Sequence, residues 1–375
     1  MTVLTPLVLI AAGGTGGHLF PAEALATALQ ARGVRVALAT DERVGGLSQS
    51  FPAEEVIAIP SATPSGRSPL QMAQAALTLG RGLYEAAKVV RRVNPAVVVG
   101  FGGYPTVPPV LAASLSRVPT LIHEQNGVMG RANRFLARTV WAIATGFPDV
   151  KGVPAGVKAP LIHTGNPVRP AVLAAAQTPY PPLAADQPLR LLVFGGSQGA
   201  WVMSEIVPAA IERLPHDALL RLHIAQQARS EDLARVQHVY AQHGLTFEAQ
   251  PFFKDLPQRM ADSHLIVSRS GASTVAELAV IGRPAILVPL PGALDQDQAA
   301  NAASLAAIGA ATVLPQPEFT PERLAGEIMT RLESPERLTK EAAAAKSAGI
   351  ADAAERLAAA VLHVAGAPAP SETRS

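Results

Sequence analysis

VLIAAGGTGGH (Val8–His18) carries the fold, and LLVFGGSQGA (Leu191–Ala200) carries it a second time. In each, a run of aliphatic and β-branched residues ends in a Gly-rich turn that opens a helix. Glycines at a strand exit let the backbone approach a ligand, and the helix that follows offers unpaired N–H groups and a positive dipole end to anionic oxygens. Two such turns half a chain apart predict an α/β chain of two Rossmann-like domains, with a ligand held in the cleft between them.

Outward from these turns, strand-like runs at Leu7–Ala12, Arg35–Thr40, Ala96–Gly100 and Pro119–Ile122 alternate with helical stretches such as Ala22–Arg32. The second half repeats this with Leu189–Phe194, Leu219–Ala225, His264–Val267 and Pro284–Pro289. Short apolar runs separated by helices read as parallel sheets covered on both faces. VVVGFGGYPTV followed by RVPTLI is echoed by LIVSRSGASTV followed by RPAILV, each a strand, a small-residue turn, a helix and another strand. GNPVR (Gly165–Arg169) and the Pro- and Ala-rich stretch Ala171–Pro188 predict a linker. The expected domains are therefore residues 1–165 and 166–336, followed by an Ala-rich helical segment at 337–365 and a disordered tail at 366–375.

A chain of 375 residues, 49% hydrophobic and 16% charged, is long enough for two cores. The absence of cysteine excludes disulfides and thiolate metal sites. MTVLTPLVLIAAGG has no basic start and reads as a first strand, not a signal peptide. Every apolar run is interrupted before 18 residues, which argues against a membrane span. A net charge of +2 argues against a nucleic-acid binder, yet residues 1–165 hold 14 Lys and Arg against 8 Asp and Glu, and residues 166–375 hold 17 against 21. The basic first half suits an anionic surface or substrate; chance scatter gives the same imbalance.

GGTGGH resembles a dinucleotide fingerprint superficially, but Leu19 stands where the last small residue is required. Asp41 lies roughly where an NAD-binding acid belongs. That reading explains neither the second glycine turn nor His18. On the first turn of a helix, His18 is kept neutral and able to accept a proton, or it caps and packs. HEQN (His123–Asn126) follows a strand end; Asn126 suits a sugar or an amide, and His123 and Glu124 suit the turn itself. In SGASTVAE (Ser270–Glu277), Glu277 can accept both ribose hydroxyls or serve as a dipole partner. DQDQAANA (Asp295–Ala302) invites a divalent metal, but two glycine turns already stabilise a diphosphate, so no metal is expected. The helix Leu70–Arg92 has a core stripe of Met72, Ala76, Leu79, Leu83 and Val90. Its second stripe, Leu77, Arg81, Tyr84, Lys88 and Arg91, suits an anionic membrane surface or a solvated face.

Taken in order, GGTGGH, GFGGYPT, HEQN, GNPVR, GGSQGA, SRSGASTVAE and the Gln298…Asn301 pair resemble the MurG family over about residues 8 to 330. These are membrane-associated UDP-N-acetylglucosamine transferases that convert lipid I to lipid II in peptidoglycan synthesis. The resemblance implies a GT-B fold, with lipid acceptor and membrane on the N-terminal domain, UDP-GlcNAc on the C-terminal one, and a last helix that crosses back. It implies that Thr15, Gly16 and Gly17 approach the donor, Asn126 the sugar, and Arg169 and Ser197 the diphosphate. The backbone at Phe253 would read uracil. Ala272, Ser273, Thr274, Val275, Ala276 and Glu277 would hold the nucleotide, with Glu277 on the ribose, and Gln298 the GlcNAc hydroxyls. Gly14, His18, Gly102, Gly103 and Tyr104 would serve the acceptor.

Two positions depart from the family pattern. Asp297 stands where His or Gln is common, and Tyr84 is the only ring on the membrane helix, which shifts anchoring toward Arg81, Lys88, Arg91 and Arg92. The implied reaction is attack of the MurNAc C4 hydroxyl on the anomeric carbon, with inversion. His18 would act as base or as a contact to the acceptor diphosphate, and no cofactor is needed. The implied setting is the cytoplasmic face of the inner membrane, with cell-wall or division proteins as further partners. Alternatives are another UDP-sugar glycolipid transferase, a UDP-GlcNAc 2-epimerase, and an NAD-dependent oxidoreductase using Gly14, Gly16 and Asp41.

Overall fold

The computed structural model describes residues 6–13, 16–41, 51–61, 69–184, 187–196, 199–292 and 296–366, with backbone only at 69–76. It divides into two compact units, Met1–Arg169 with Asp352–Ser375, and Pro170–Ala351. The first begins with β1 (Leu7–Ala11), α1 (Gly16–Ala31), β2 (Arg35–Thr40), β3 (Glu55–Ala58), α2 (Pro69–Val93) and β4 (Val97–Gly100). It continues through α3 (Val107–Leu115), β5 (Thr120–Glu124), α4 (Arg131–Leu136), β6 (Ala142–Thr145) and β7 (Leu161–His163). The sheet runs β3-β2-β1-β4-β5-β6-β7, and every pairing is parallel. Its central strands are aliphatic along their whole length because both faces are covered. Val8, Ile10, Val97 and Val99 pack on one side, Leu9, Ala11 and Val98 on the other.

The second unit holds α5 (Pro170–Ala175), β8 (Leu189–Phe194), α6 (Trp201–Ile211), α7 (His216–Leu219), β9 (Leu222–Gln227), α8 (Ser230–Gln242) and β10 (Thr246–Gln250). There follow α9 (Leu256–Asp262), β11 (Leu265–Ser268), α10 (Ala272–Ile281), β12 (Ala285–Leu287), α11 (Asp297–Ala307), β13 (Ala311–Val313), α12 (Pro321–Glu333) and α13 (Pro335–Ser347). The order β10-β9-β8-β11-β12-β13, also parallel, repeats that of the first sheet without its last strand. The order in which the chain adds strands changes sides between β1 and β4 in one sheet and between β8 and β11 in the other. At such switch points the strand ends leave a crevice for ligands.

Two sequence expectations change here. The stretch Ala171–Pro188 is no loose linker: α5 opens it, Leu183 is buried, and Tyr180 donates its hydroxyl to the His264 carbonyl at 3.1 Å. Arg283, only 1% exposed, explains the attachment. Its guanidinium is satisfied by carbonyls, among them Thr178 at 3.1 Å, Pro179 at 3.2 Å and Ala261 at 2.9 Å. A buried cation requires such partners, and the Pro-rich segment supplies two of them. The single helix expected at the C-terminal end is two, α13 and α14 (Ala353–Val364). Between them Gly349 presses on α10 so closely that a methyl group there would stand 2.6 Å from the Ala279 carbonyl oxygen. The helix α14 belongs to the first unit, where Leu357, Val361 and Leu362 join the core of α1 and Glu355 pairs with Arg32 at 2.6 Å. The chain changes units at Arg169–Pro170, and the tail from 367 onward lies outside the described residues.

Candidate active site

In the first unit three of the quoted motifs converge on one atom, the carbonyl oxygen of Phe101. It lies just past β4, where the ladder ends with Phe101 N–H donating to Ala11 O at 2.9 Å. The His18 Nδ1 sits 2.8 Å from it, and Gln125 Nε2 donates to it at 2.9 Å. A carbonyl can only accept, so His18 carries its proton on Nδ1 and leaves Nε2 as the basic nitrogen. Gly102 and Gly103, at φ 83° and 72°, turn the chain under the imidazole. A methyl group on either would stand 3.5 Å from the ring, at Cε1 and Nε2 respectively. Burial pulls the His18 pKa below its ordinary value, against the opposing pull of the Phe101 carbonyl.

Glu124 organises the neighbouring loop. Its carboxylate accepts from Asn126 N at 3.0 Å, Gly130 N at 2.9 Å and Asn133 Nδ2 at 2.8 Å. Burial raises its pKa, and these hydrogen bonds work against the rise. The Asn126 amide also donates to Glu124 at 3.3 Å, so the residue expected on the sugar is set in place by the turn that carries it. His123 is fully buried; Nε2 donates to Gly165 O at 3.1 Å, and burial pulls its pKa down to about 4. Asn166 of GNPVR donates to Gln125 O at 2.8 Å. That motif delivers Arg169 to α1, its guanidinium 4.3 Å over the Phe20 ring; burial raises the pKa of Glu23 on the same helix, and the Arg169 charge opposes part of that rise. Of the residues expected on the donor, Gly16 is buried and Gly17 exposed; Tyr104, expected on the acceptor, packs half-buried on the core. Asp41, the acid of the nicotinamide reading, is buried with Oδ1 against Gly13. Gly14, Thr15 and Ser197 lie outside the described residues.

In the second unit the turn after β8 is built on backbone. Gly195 N–H donates to Gln227 Oε1 at 3.1 Å, and a methyl group at Gly195 would stand 2.2 Å from Ala200 N. Gly196 and Gly199 take φ 96° and 71°, and Ala200 caps α6 without a side-chain hydrogen bond. Such a first turn keeps N–H groups for an anion. Gly271 likewise caps α10 with no side-chain bond. Ser273, Thr274 and Ala276 are half-buried on its outer side, whereas Ala272 and Val275 point into the core, and Glu277 is 7% exposed. Phe253 is buried, with Arg259 stacked 4.2 Å over its ring.

Around this turn a lock invisible to motif reading holds the strand ends. Ser270 Oγ donates to Gln298 O at 2.8 Å, and Asn301 Nδ2 donates to Ser270 O at 3.2 Å. The Gln298 Oε1 accepts Leu290 N–H at 3.0 Å, leaving its NH₂ as the end a sugar would meet. Asp297 takes the first position of α11 and accepts Gln298 N–H at 2.9 Å. Arg269 donates to Val288 O at 3.1 Å, Pro289 O at 3.0 Å and Gln316 Oε1 at 2.6 Å. On α2, Leu77 is 74% and Tyr84 62% exposed. Arg81, Lys88 and Arg91 are exposed on the same stripe, with Lys88 4.6 Å over the Tyr84 ring. Leu79, Leu83 and Val90 face the core; the side chains of Met72 and Ala76 lie outside the described residues. Among the described residues no helix is long and apolar enough to cross a membrane, and no three His, Asp or Glu gather as a metal site.

Residues 8–145 match the glycosyltransferase family 28 N-terminal domain, and residues 190–357 match the C-terminal domain of the same family. The chain is 68% identical over 368 residues to the UDP-N-acetylglucosamine–N-acetylmuramyl-(pentapeptide) pyrophosphoryl-undecaprenol N-acetylglucosamine transferase of Methylorubrum extorquens, covering 98% of this chain and 100% of that protein. To the protein of that name from Rhodopseudomonas palustris (strain ATCC BAA-98 / CGA009) it is 59% identical, with 96% and 98% covered. The crystal structure of Acinetobacter baumannii MurG superposes with a TM-score of 0.76 at 32% identity, over 96% of this chain and 99% of that one. A UDP-GlcNAc 2-epimerase from Neisseria meningitidis reaches 0.67 at 14% identity, over 95% of this chain and 100% of that one, a likeness of fold alone. The GT-B fold is therefore shown, and the chain belongs to the MurG family of N-acetylglucosamine transferases, assembled from two glycosyltransferase family 28 domains.

Proposed function

We propose that the chain moves GlcNAc from UDP-GlcNAc to the C4 hydroxyl of MurNAc in lipid I, forming the β1,4 linkage of lipid II with inversion. Full-length identity to relatives named for this transfer carries the reading. The UDP-GlcNAc 2-epimerase from Neisseria meningitidis shares the fold at 14% identity, a likeness that carries no activity over to this chain.

Two roles were open for His18, base or diphosphate contact, and its geometry favours the base. A ring protonated on Nδ1 toward a carbonyl, with its pKa depressed by burial, is neutral near pH 7. It therefore takes the C4 hydroxyl proton on Nε2 as the oxygen attacks the anomeric carbon. A neutral imidazole would be a weak partner for a diphosphate. In the second unit Glu277 takes the ribose, the α6 and α10 turns the phosphates, and Gln298 the sugar. Departure of UDP is stabilised by these N–H groups and Arg169, without a metal ion. The exposed Leu77 and Tyr84, ringed by Arg81, Lys88 and Arg91, rest on anionic lipid at the face where lipid I is presented.

Release of UDP from UDP-GlcNAc should require a polyprenyl-diphosphate-MurNAc acceptor and continue in EDTA. UDP-GlcNAc turnover with no acceptor would sink the transferase reading. Complete loss in EDTA, restored by Mg²⁺ or Mn²⁺, would sink the metal-free mechanism.

A further inference from the structure

We infer that Gln125 is a positioning residue for His18, because its side-chain amide, from just past β5, and the imidazole, from the first turn of α1, hold the same carbonyl oxygen, that of Phe101. The inference deepens the reading of His18 as base and rests on it only for the effect on turnover. The Phe101–Gly102 peptide lies beyond the β4 ladder and before two glycines with positive φ, so neither strand pairing nor a following side chain fixes its plane. Gln125 fixes it. The residue is buried at the end of β5, and its own carbonyl is held by Asn166 at 2.8 Å. It is therefore anchored at the backbone and reaches Phe101 O with its amide at 2.9 Å. With both lone pairs of that oxygen occupied, it accepts from His18 Nδ1–H in one direction, and Nε2 is presented beside Gly103.

The shared carbonyl also keeps the imidazole neutral. An oxygen that already accepts from an amide stabilises an imidazolium less than one held by the ring alone. Among the described residues, the elements that meet at the ring carry Glu23 on α1 with Arg169 beside it, Asp41 against Gly13, Tyr104 after the glycine turn, and His123 and Glu124 on β5. All of them stay in place when Gln125 alone is changed.

Gln125→Met keeps the volume and removes the donor. Gln125→Glu keeps the shape and places a carboxyl against the carbonyl. The ¹⁵N imidazole signals of His18, assigned by their loss in His18→Asn, report tautomer and titration in the full-length protein without any turnover. In wild type the neutral ring should be protonated on Nδ1. In Gln125→Met the Phe101 carbonyl is free to turn from the ring, so the Nε2-protonated form should appear at the expense of the Nδ1-protonated one; in Gln125→Glu the added carboxylate should raise the titration midpoint. The acid limb of kcat should move the same way, and kcat should fall roughly ten- to a hundredfold with KM for UDP-GlcNAc unchanged. Unaltered His18 tautomer and midpoint in both folded variants overturn the inference, whatever happens to kcat. If the signals shift as stated but His18→Ala turns over normally, the positioning stands and the base assignment is what fails. A Met variant that does not fold leaves the Glu variant to decide.

Discussion

The strand β4 lies beside β1 in the first unit as β11 lies beside β8 in the second, so GFGGYPT and SRSGAST occupy equivalent places in equivalent sheets. They are used differently. In the first unit two glycines in the left-handed region turn the chain beneath a side chain that follows the other glycine turn, and that side chain is His18. In the second unit the matching turn carries Arg269 and Ser270, which reach sideways to Val288, Pro289, Gln316 and Gln298 and fasten the strand ends together. At the first helix the contrast repeats: α1 bears a histidine in its opening turn, α6 an exposed Trp201. One backbone design thus yields a unit whose glycine turns seat a titratable side chain and a unit whose turns leave helix-start N–H groups and one buried carboxylate at the strand ends. The lesson is that a repeated strand–glycine–helix module specifies where a ligand goes but not what is done to it.

This contrast breaks most readily at His18 and Glu277. His18→Ala should lower kcat by roughly 10²- to 10⁴-fold, the range of a lost general base, with KM for UDP-GlcNAc nearly unchanged. Glu277→Gln should do the reverse, raising that KM by roughly ten- to a hundredfold for the loss of charge-assisted hydrogen bonds to a ribose. Steady-state kinetics with a soluble lipid I analogue separate the two. Near-normal turnover in His18→Ala, or a Glu277→Gln defect confined to kcat, would erase the division between the units. The His18 limb has a stated sign: activity should hold as pH falls to the ordinary imidazole value of 6.5 and drop only below it, because burial lowers this pKa.

The doubly wound architecture was legible because the central strands are continuous aliphatic runs. Arg35–Thr40 and Leu189–Phe194 were bounded to the residue. The three-residue strands β7 and β13 were not, since each lies at a sheet edge, half in water, with too short a run to show a period. His18, Gly102 and Gly103 were each legible as candidates, and their meeting follows from β1 and β4 being neighbours. Gln125 and Ser270 escaped notice for a common reason: each acts through a main-chain carbonyl, and a carbonyl has no letter in the sequence. Pro-rich composition concealed the attachment of 178–180 because the partner, Arg283, lies a hundred residues away and is bound by carbonyls, not by a visible acid.

Acid should sharpen the comparison. Each unit holds one fully buried neutral histidine with its pKa pulled to about 4 by burial, His123 in the first and His264 in the second. An unfolded imidazole titrates at its ordinary value of 6.5. Between 6.5 and about 4 the unfolded chain therefore binds more protons, and stability falls as pH falls, by up to about 3 kcal/mol per histidine. The carboxylates then separate the units. Burial raises Glu124 in the first, so acid favours its folded form and offsets part of the loss. Burial pushes Glu327 upward in the second, but hydrogen bonds from Arg331 and Arg323 outweigh it and hold the pKa low, so acid removes that contribution as well. Hydrogen exchange read by mass spectrometry from pH 6.5 to 4 should show the second unit opening first. Simultaneous opening, or the first unit leading, would contradict this accounting.

The smallest effect concerns the surface, where the basic and acidic halves of the chain part company. Arg81 and Arg91 stand on the exposed stripe of α2 with Leu77 and Tyr84, whereas Arg323 of the second unit is exposed on α12 and paired with Glu327 at 2.9 Å. A cation near an anionic bilayer contributes about 1 kcal/mol, and each 1.4 kcal/mol is about tenfold in affinity. Arg81→Gln and Arg91→Gln should each weaken co-sedimentation with phosphatidylglycerol vesicles by about fivefold at low salt. Arg323→Gln should leave it alone. Raising salt should narrow the gap, since exposed charges are screened over about 8 Å at physiological ionic strength, while Leu77→Ser should weaken binding at every salt concentration because an apolar contact is not screened. Equal binding to neutral and anionic vesicles would assign the stripe of α2 to solvent, and the excess of positive charge in residues 1–165 would then have no lipid to explain it.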